Sequence, residues 1–156
     1  GIEMEKSYEI INRLLVETFN DILTIEEKSL REGAFNNVSI TEVHTVEAIG
    51  LHTKKTMSEV ARELNITVGT LTVAINNLVK KGFVERERSE SDKRVVYVKL
   101  SKQGRVLFRI HEKFHSDLVE ASISGLNEEE ENVLVSALFK LDYFLKEKYN
   151  IDKGEK

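Results

Sequence analysis

Cysteine and proline are both absent from the chain. Without cysteine there is no disulfide, no thiolate catalysis and no cysteine-based metal site, and a reducing cytoplasm is compatible. Without proline the strongest helix breaker is missing, which fits a mostly helical protein. Long apolar runs are missing too. No stretch approaches the ~20 apolar residues a membrane span requires, and no secretory leader with an apolar centre is present. A glycine-rich phosphate loop and a recognisable catalytic triad are also lacking, so an enzyme is not expected. What is present is 156 residues, 40% of them hydrophobic, enough for one compact domain with a packed core. Gly1, Ile2 and Glu3 precede Met4 and are read as a cloning remnant.

Net charge is -4, which by itself speaks against a nucleic-acid partner. The charge is unevenly spread, however, and the footprint on a nucleic acid is local. Between Lys80 and Lys102 eight basic residues face four acidic ones, a positive island in an acidic chain.

Periodicity predicts six helices and a hairpin. Residues 5–31 carry Ile11, Leu14, Leu15, Ile22 and Ile25 at helical spacing, a long amphipathic helix. A turn from Gly33 to Ser39 follows. Ser39 with Glu42 forms a capping-box pattern that opens a helix from Ile40 to Ile49. Thr56 with Glu59 repeats the pattern before SEVAREL. Thr67 caps a helix that runs to Lys81 and stops at Gly82, a left-handed terminator. Phe83 to Arg88 and Arg94 to Leu100 are rich in β-branched and aromatic residues around a polar SESDK, a β-hairpin. Ser101 caps a helix to about Ser124, and Asn127 with Glu130 caps the last, to about Tyr149. The acidic run Glu128 to Glu131 fits the positive end of that helix. The tail from Asn150 is expected to fray.

Helix, helix and basic hairpin in that order outline a winged helix-turn-helix. On the helix after Thr67, Leu71, Ile75 and Leu78 make a buried stripe, flanked by Val68 and Val79. The opposite face offers Gly69, Thr72, Val73, Asn76 and Lys80, with Thr70 and Asn77 at its edges. A face without carboxylates is unusual in a chain that is 32% charged, and it suits a DNA groove. A polar solvent face would look similar, and the hairpin tips the balance. Asp92 and Arg94 are two residues apart, so the carboxylate can brace a guanidinium aimed at a narrow minor groove. Thr67 and Thr70 at the helix start, Arg86 and Arg88 on the first strand, Lys93 at the tip and Lys102 beyond the second strand can meet phosphates.

The run NNLVKKGFVERERSESDKRVVYVKLSKQGR resembles the winged core of the MarR family of bacterial transcription regulators, with its leucine–lysine–glycine turn, D-x-R wing and L-[ST]-x-x-G. The helix order over nearly the whole chain is similar too. The strings EVHTVEAIG and RIHEKFH most resemble the FabT-type branch, whose members repress fatty-acid-synthesis genes. The resemblance implies a mainly α protein with a small β-hairpin wing (α+β). It implies a cytoplasmic homodimer that binds double-stranded pseudo-palindromic operators as a repressor, with acyl-acyl-carrier protein as co-repressor and no cofactor. Residues 1–38 would be an N-terminal dimerisation helix, 39–104 the winged unit and 105–156 the C-terminal dimerisation helices.

Dimerisation has its own argument. Val133, Leu134, Ala137, Leu138, Leu141, Phe144 and Leu145 form a wide stripe, and Ile10, Leu14 and Phe19 offer another; a second copy would cover both. An acyl chain would need an apolar tunnel, for which Leu23, Phe35, Val38, Val43, His44, Val46, Phe108, His111 and Phe114 are candidate walls. Core packing explains the apolar members equally well. A carrier protein would dock on basic residues such as Lys28, Arg31, Arg105 and Arg109. His111 and His115 share a helix face, and with His44 and Glu26 or Glu27 they match zinc-ligand chemistry. Polar packing is the preferred reading, with no metal. The alternatives are a MarR-type repressor responding to zinc or a small phenolic ligand, and a winged-helix protein-interaction adaptor that never touches DNA.

Overall fold

The computed structural model describes residues 2–151, the side chain of Ile2 excepted. Gly1, part of the expected cloning remnant, and the tail from Asp152 onward lie outside the described residues. The element order is α1 (Ile2–Glu32), α2 (Ile40–Ile49), β1 (Lys55–Thr56), α3 (Met57–Leu64), α4 (Val68–Lys80), β2 (Val84–Arg88), β3 (Val96–Leu100), α5 (Lys102–Ile123) and α6 (Glu128–Lys148). The chain divides into two compact units, Gly1–Ile40 and Thr41–Lys156. The C-terminal helices fall within the second of these units.

The first unit is built on α1, whose apolar side chains lie mostly in solvent. Ile11, Phe19 and Leu14 are among the exposed ones.

In the second unit the helix starts fall where capping chemistry puts them. Thr56 accepts from Glu59 N and Glu59 reaches back to Thr56 N, a reciprocal box. Thr67, Ser101 and Asn127 each accept from the backbone N–H three residues on. After α4, Gly82 takes φ 85°, a backbone turn that favours glycine, and the chain reverses into β2. The sheet has three strands in the order β1-β3-β2, all antiparallel. The hairpin is expected from the sequence. The third strand is an addition: Lys55 pairs with Val98 and Thr56 with Tyr97, closing the far edge of β3.

The core lies where α2, α3, α4 and the sheet bring their apolar faces inward. Val43, Val46, Ile49, Val60, Leu71, Ile75, Leu78, Phe83 and Val98 have no exposed surface. Full burial of each such side chain contributes about 1.5–3 kcal/mol before entropy is counted. Leu71, Ile75 and Leu78 are the stripe predicted for α4, but Val68 is not part of it, since it stands exposed at the first turn. Glu42 has a role the sequence did not signal. It is buried, and both of its carboxylate oxygens accept from Lys81 Nζ, at 2.8 and 2.9 Å, tying α2 to the end of α4. No described helix is long and apolar enough to cross a membrane.

Candidate nucleic-acid interface

The outward face of α4 carries Gly69, Thr70, Thr72, Val73, Asn76, Asn77 and Lys80, all exposed, behind the exposed N-cap Thr67. Its first turn holds no acidic residue, so the free N–H groups at the helix start and its positive dipole end meet no local carboxylate. The polar groups on this face are held in place. Thr67 Oγ1 donates to Thr70 Oγ1 at 2.9 Å and accepts from Thr70 N at 3.1 Å. Thr72 Oγ1 donates to Val68 O at 2.8 Å. Asn76 Oδ1 accepts from Arg86 Nη2 across the gap between α4 and β2. Asn76, expected on the groove-facing surface, is therefore linked to the wing in this structure.

The wing projects beyond β2 and β3. Its tip closes by Val95 N donating to Asp92 O and Ser89 N to Val95 O, both at 2.9 Å. Asp92 then makes three contacts with Arg94. Oδ1 accepts from Arg94 N and Nε, each at 3.1 Å, and Oδ2 from Nη2 at 3.2 Å. The hydrogen bonds from the Arg94 side chain and backbone hold the Asp92 carboxyl below its usual range. The guanidinium side chain is 91% exposed. A charged, nearly fully solvated group held by a bidentate partner is fixed in direction yet open to an incoming anion. Arg88 Nη1 donates to Lys93 O at 2.8 Å, which leaves the Lys93 ammonium exposed at the tip. Lys102 stands exposed at the first residue of α5. The fourteen residues expected to contact DNA thus lie together in the winged unit, and none of them is in the core.

The histidines gather around a residue the sequence reading passed over. Glu47, one turn after His44 on α2, places Oε1 against Nδ1 of the buried His111 and 3.5 Å from Nε2 of His115. His111 and His115 meet edge to face at 4.4 Å, and His44 lies 6.1 Å from His111. Burial opposes ionisation of Glu47. The hydrogen bond and charge of His111, with His115 and His44 adding to it, outweigh that and hold its carboxyl below the ordinary value. An ionised Glu47 accepts a hydrogen bond from this buried ring. A glutamate three residues from a histidine looks like any solvent-facing acid in sequence, which is why it gave no signal. Ligand atoms of Glu47, His111 and His115 lie within 4.8 Å of one another, so the set is compatible with metal-ligand chemistry as well. Of the candidate acyl-chain walls, Val43 and Val46 are fully buried, Val38 is buried, and Leu23 is exposed. Phe35 and Phe108 are half-buried, and Phe114 is half-buried with its ring 5.7 Å from that of His111.

Comparison with known proteins bears on this arrangement directly. The sequence profile described as MarR family matches residues 38–96. FabT from Streptococcus pneumoniae, solved in complex with DNA, superposes with a TM-score of 0.86 at 45% identity, over 90% of this chain and 98% of that one. A variant of MarR from E. coli, complexed with operator DNA, superposes at 0.67 with 25% identity, over 84% of this chain and 92% of that one. The regulator PchR of Bacillus subtilis is 29% identical over 113 residues, 69% of this chain and 67% of its own length. The exposed helix face, the braced wing and kinship across almost a whole regulator's length converge, and the chain is a member of the MarR family of DNA-binding transcription regulators, not an enzyme.

Proposed function

We propose that the protein is a homodimeric repressor that binds pseudo-palindromic operators upstream of fatty-acid-synthesis genes, in the bacterial cytoplasm, and takes acyl-acyl-carrier protein as co-repressor. The observation that carries the DNA contact is Arg94, a solvated guanidinium fixed by Asp92 beside a helix face free of carboxylates. The fourteen residues from Thr67 to Lys102 named above are the proposed contact set.

Dimerisation rests on α6. Val133, Phe139, Tyr143 and Phe144, on different sides of this helix, are all more than half exposed, and no residue of it is buried. A helix apolar on several faces belongs inside an assembly. A two-fold axis would set the reading helices about 34 Å apart, one turn of DNA. The fatty-acid assignment rests on the 45% identity to FabT. The co-repressor would act by favouring the spacing that fits DNA.

The test is titration of a selected operator duplex at stepped salt, with and without acyl-acyl-carrier protein. Affinity is expected to fall on the order of a thousandfold between about 50 and 200 mM salt as phosphate-bound cations are released and recaptured. The acylated carrier should tighten binding and the unacylated carrier should not. A flat salt response would instead support the protein-interaction adaptor. An equal effect of both carriers would remove the lipid-linked co-repressor.

No metal is assigned to Glu47, His111 and His115, because the carboxylate already serves both rings. Operator affinity is therefore expected to be unchanged by added Zn²⁺ or by a chelator. A large, reversible zinc effect that His111→Ala abolishes would make the protein a zinc-responsive regulator.

A further inference from the structure

Val73 is out of place by ordinary folding rules. Its side chain is 63% exposed in the middle of α4, while Leu71, Ala74 and Ile75 on either side of it are buried. A β-branched residue is a poorer helix former than alanine, and leaving it in water gives nothing back. Two polar groups beside it are turned toward the protein. The Thr72 hydroxyl is turned back onto Val68 O, so the methyl is what this side chain has left to offer outward. Asn76, one turn on, gives its carbonyl oxygen to Arg86. Gly69, one turn before, would meet only Thr67 Oγ1, at 3.9 Å, if it carried a Cβ. The protein therefore does not need glycine there for space. Its effect is to leave a shallow place in the helix surface beside Val73.

The centre of the reading face is thus a small apolar step next to a gap, with the Thr72 hydroxyl and the Asn76 carbonyl oxygen beside it engaged by the protein. On the major-groove edge of a base pair the matching apolar group is the C5-methyl of thymine, the one methyl that the four bases present there. We propose that Val73, assisted by the Thr72 methyl, is a specificity-determining residue that reads thymine methyls in each operator half-site. This rests on the reading of α4 as the groove-binding helix.

The experiment uses an operator selected from random duplexes with the full-length protein. Each thymine is replaced in turn by deoxyuridine, which removes the methyl and keeps the base pair and the O4 acceptor. For the unaltered protein, affinity should drop about fourfold per half-site at one or two positions, the effect of losing one buried methyl. Val73→Ala should bind the unmodified operator more weakly by a similar factor and should no longer distinguish thymine from uracil at those positions. Val73 is solvent-exposed, so a thermal melt should confirm that the variant folds normally. The proposal is overturned if uracil is tolerated at every position, or if Val73→Ala keeps the full methyl response. If no duplex is selected at all, the groove-binding reading of α4 fails, an outcome distinct from selection without a methyl effect.

Discussion

Arg94→Ala is expected to cost about 1–3 kcal/mol of operator binding, at least several-fold in affinity, with the fold unchanged. The two halves of that statement have separate grounds. The arginine side chain is 91% exposed, and exposed ion pairs add little to stability, so removing it should leave the melting temperature close to the parent value. Binding is different because a narrow minor groove concentrates negative potential where a guanidinium can enter. Asp92 spends both carboxylate oxygens on this one residue, which reduces the ordering cost of placing the guanidinium. Asp92→Ala should therefore weaken binding less than Arg94→Ala, since the cation remains and only its direction is lost. Fluorescence anisotropy on the selected operator, at one fixed salt concentration, measures both. Normal binding by Arg94→Ala would mean that the wing does not read a groove.

Gly104→Ala should be the most damaging small change in the winged unit. A Cβ at this position would lie 2.1 Å from Phe83 O, 3.1 Å from Phe83 C and 3.3 Å from Leu100 Cβ. The first two are backbone atoms that cannot rotate away. The Phe83 carbonyl is also held, accepting from Ser101 N at 3.0 Å, while Ser101 Oγ donates to Gly82 O at 2.6 Å. The clash must be relieved by moving the start of α5 off the sheet. A cost of about 3 kcal/mol is expected, in line with overpacked cores, and a melting temperature lower by roughly 10 °C. Gly125→Ala is the control, because nothing lies within 4 Å of a Cβ there. If Gly104→Ala melts with the parent protein, α5 is less firmly seated than these contacts imply.

That glycine also marks what could be read in the sequence. Its place in the L-[ST]-x-x-G string was visible, but the reason, a helix pressed against a carbonyl twenty-one residues earlier, was not. Local chemistry was legible throughout: Thr56, Thr67, Ser101 and Asn127 cap their helices as their residue types predict. So was the D-x-R brace, which spans only two residues. Contacts between distant segments were hidden. Strand β1 is two residues long and exists only by pairing with β3, so Lys55 and Thr56 have no strand pattern of their own. Glu42 and Lys81 are thirty-nine positions apart, and each alone reads as a surface charge. Glu47 was missed for the same reason, since its importance comes from rings sixty-four and sixty-eight residues later.

Thr56 is at once the last residue of β1 and the cap of α3. A wing tilting on its own would pull β3 against β1 and, through this single residue, unseat the first turn of that helix. Arg86 and Asn76 fasten the opposite flank to α4. The hairpin is therefore a stiff outrigger and not a flap. Any rearrangement that re-aims the hairpin must carry β1, α3 and α4 with it as one piece.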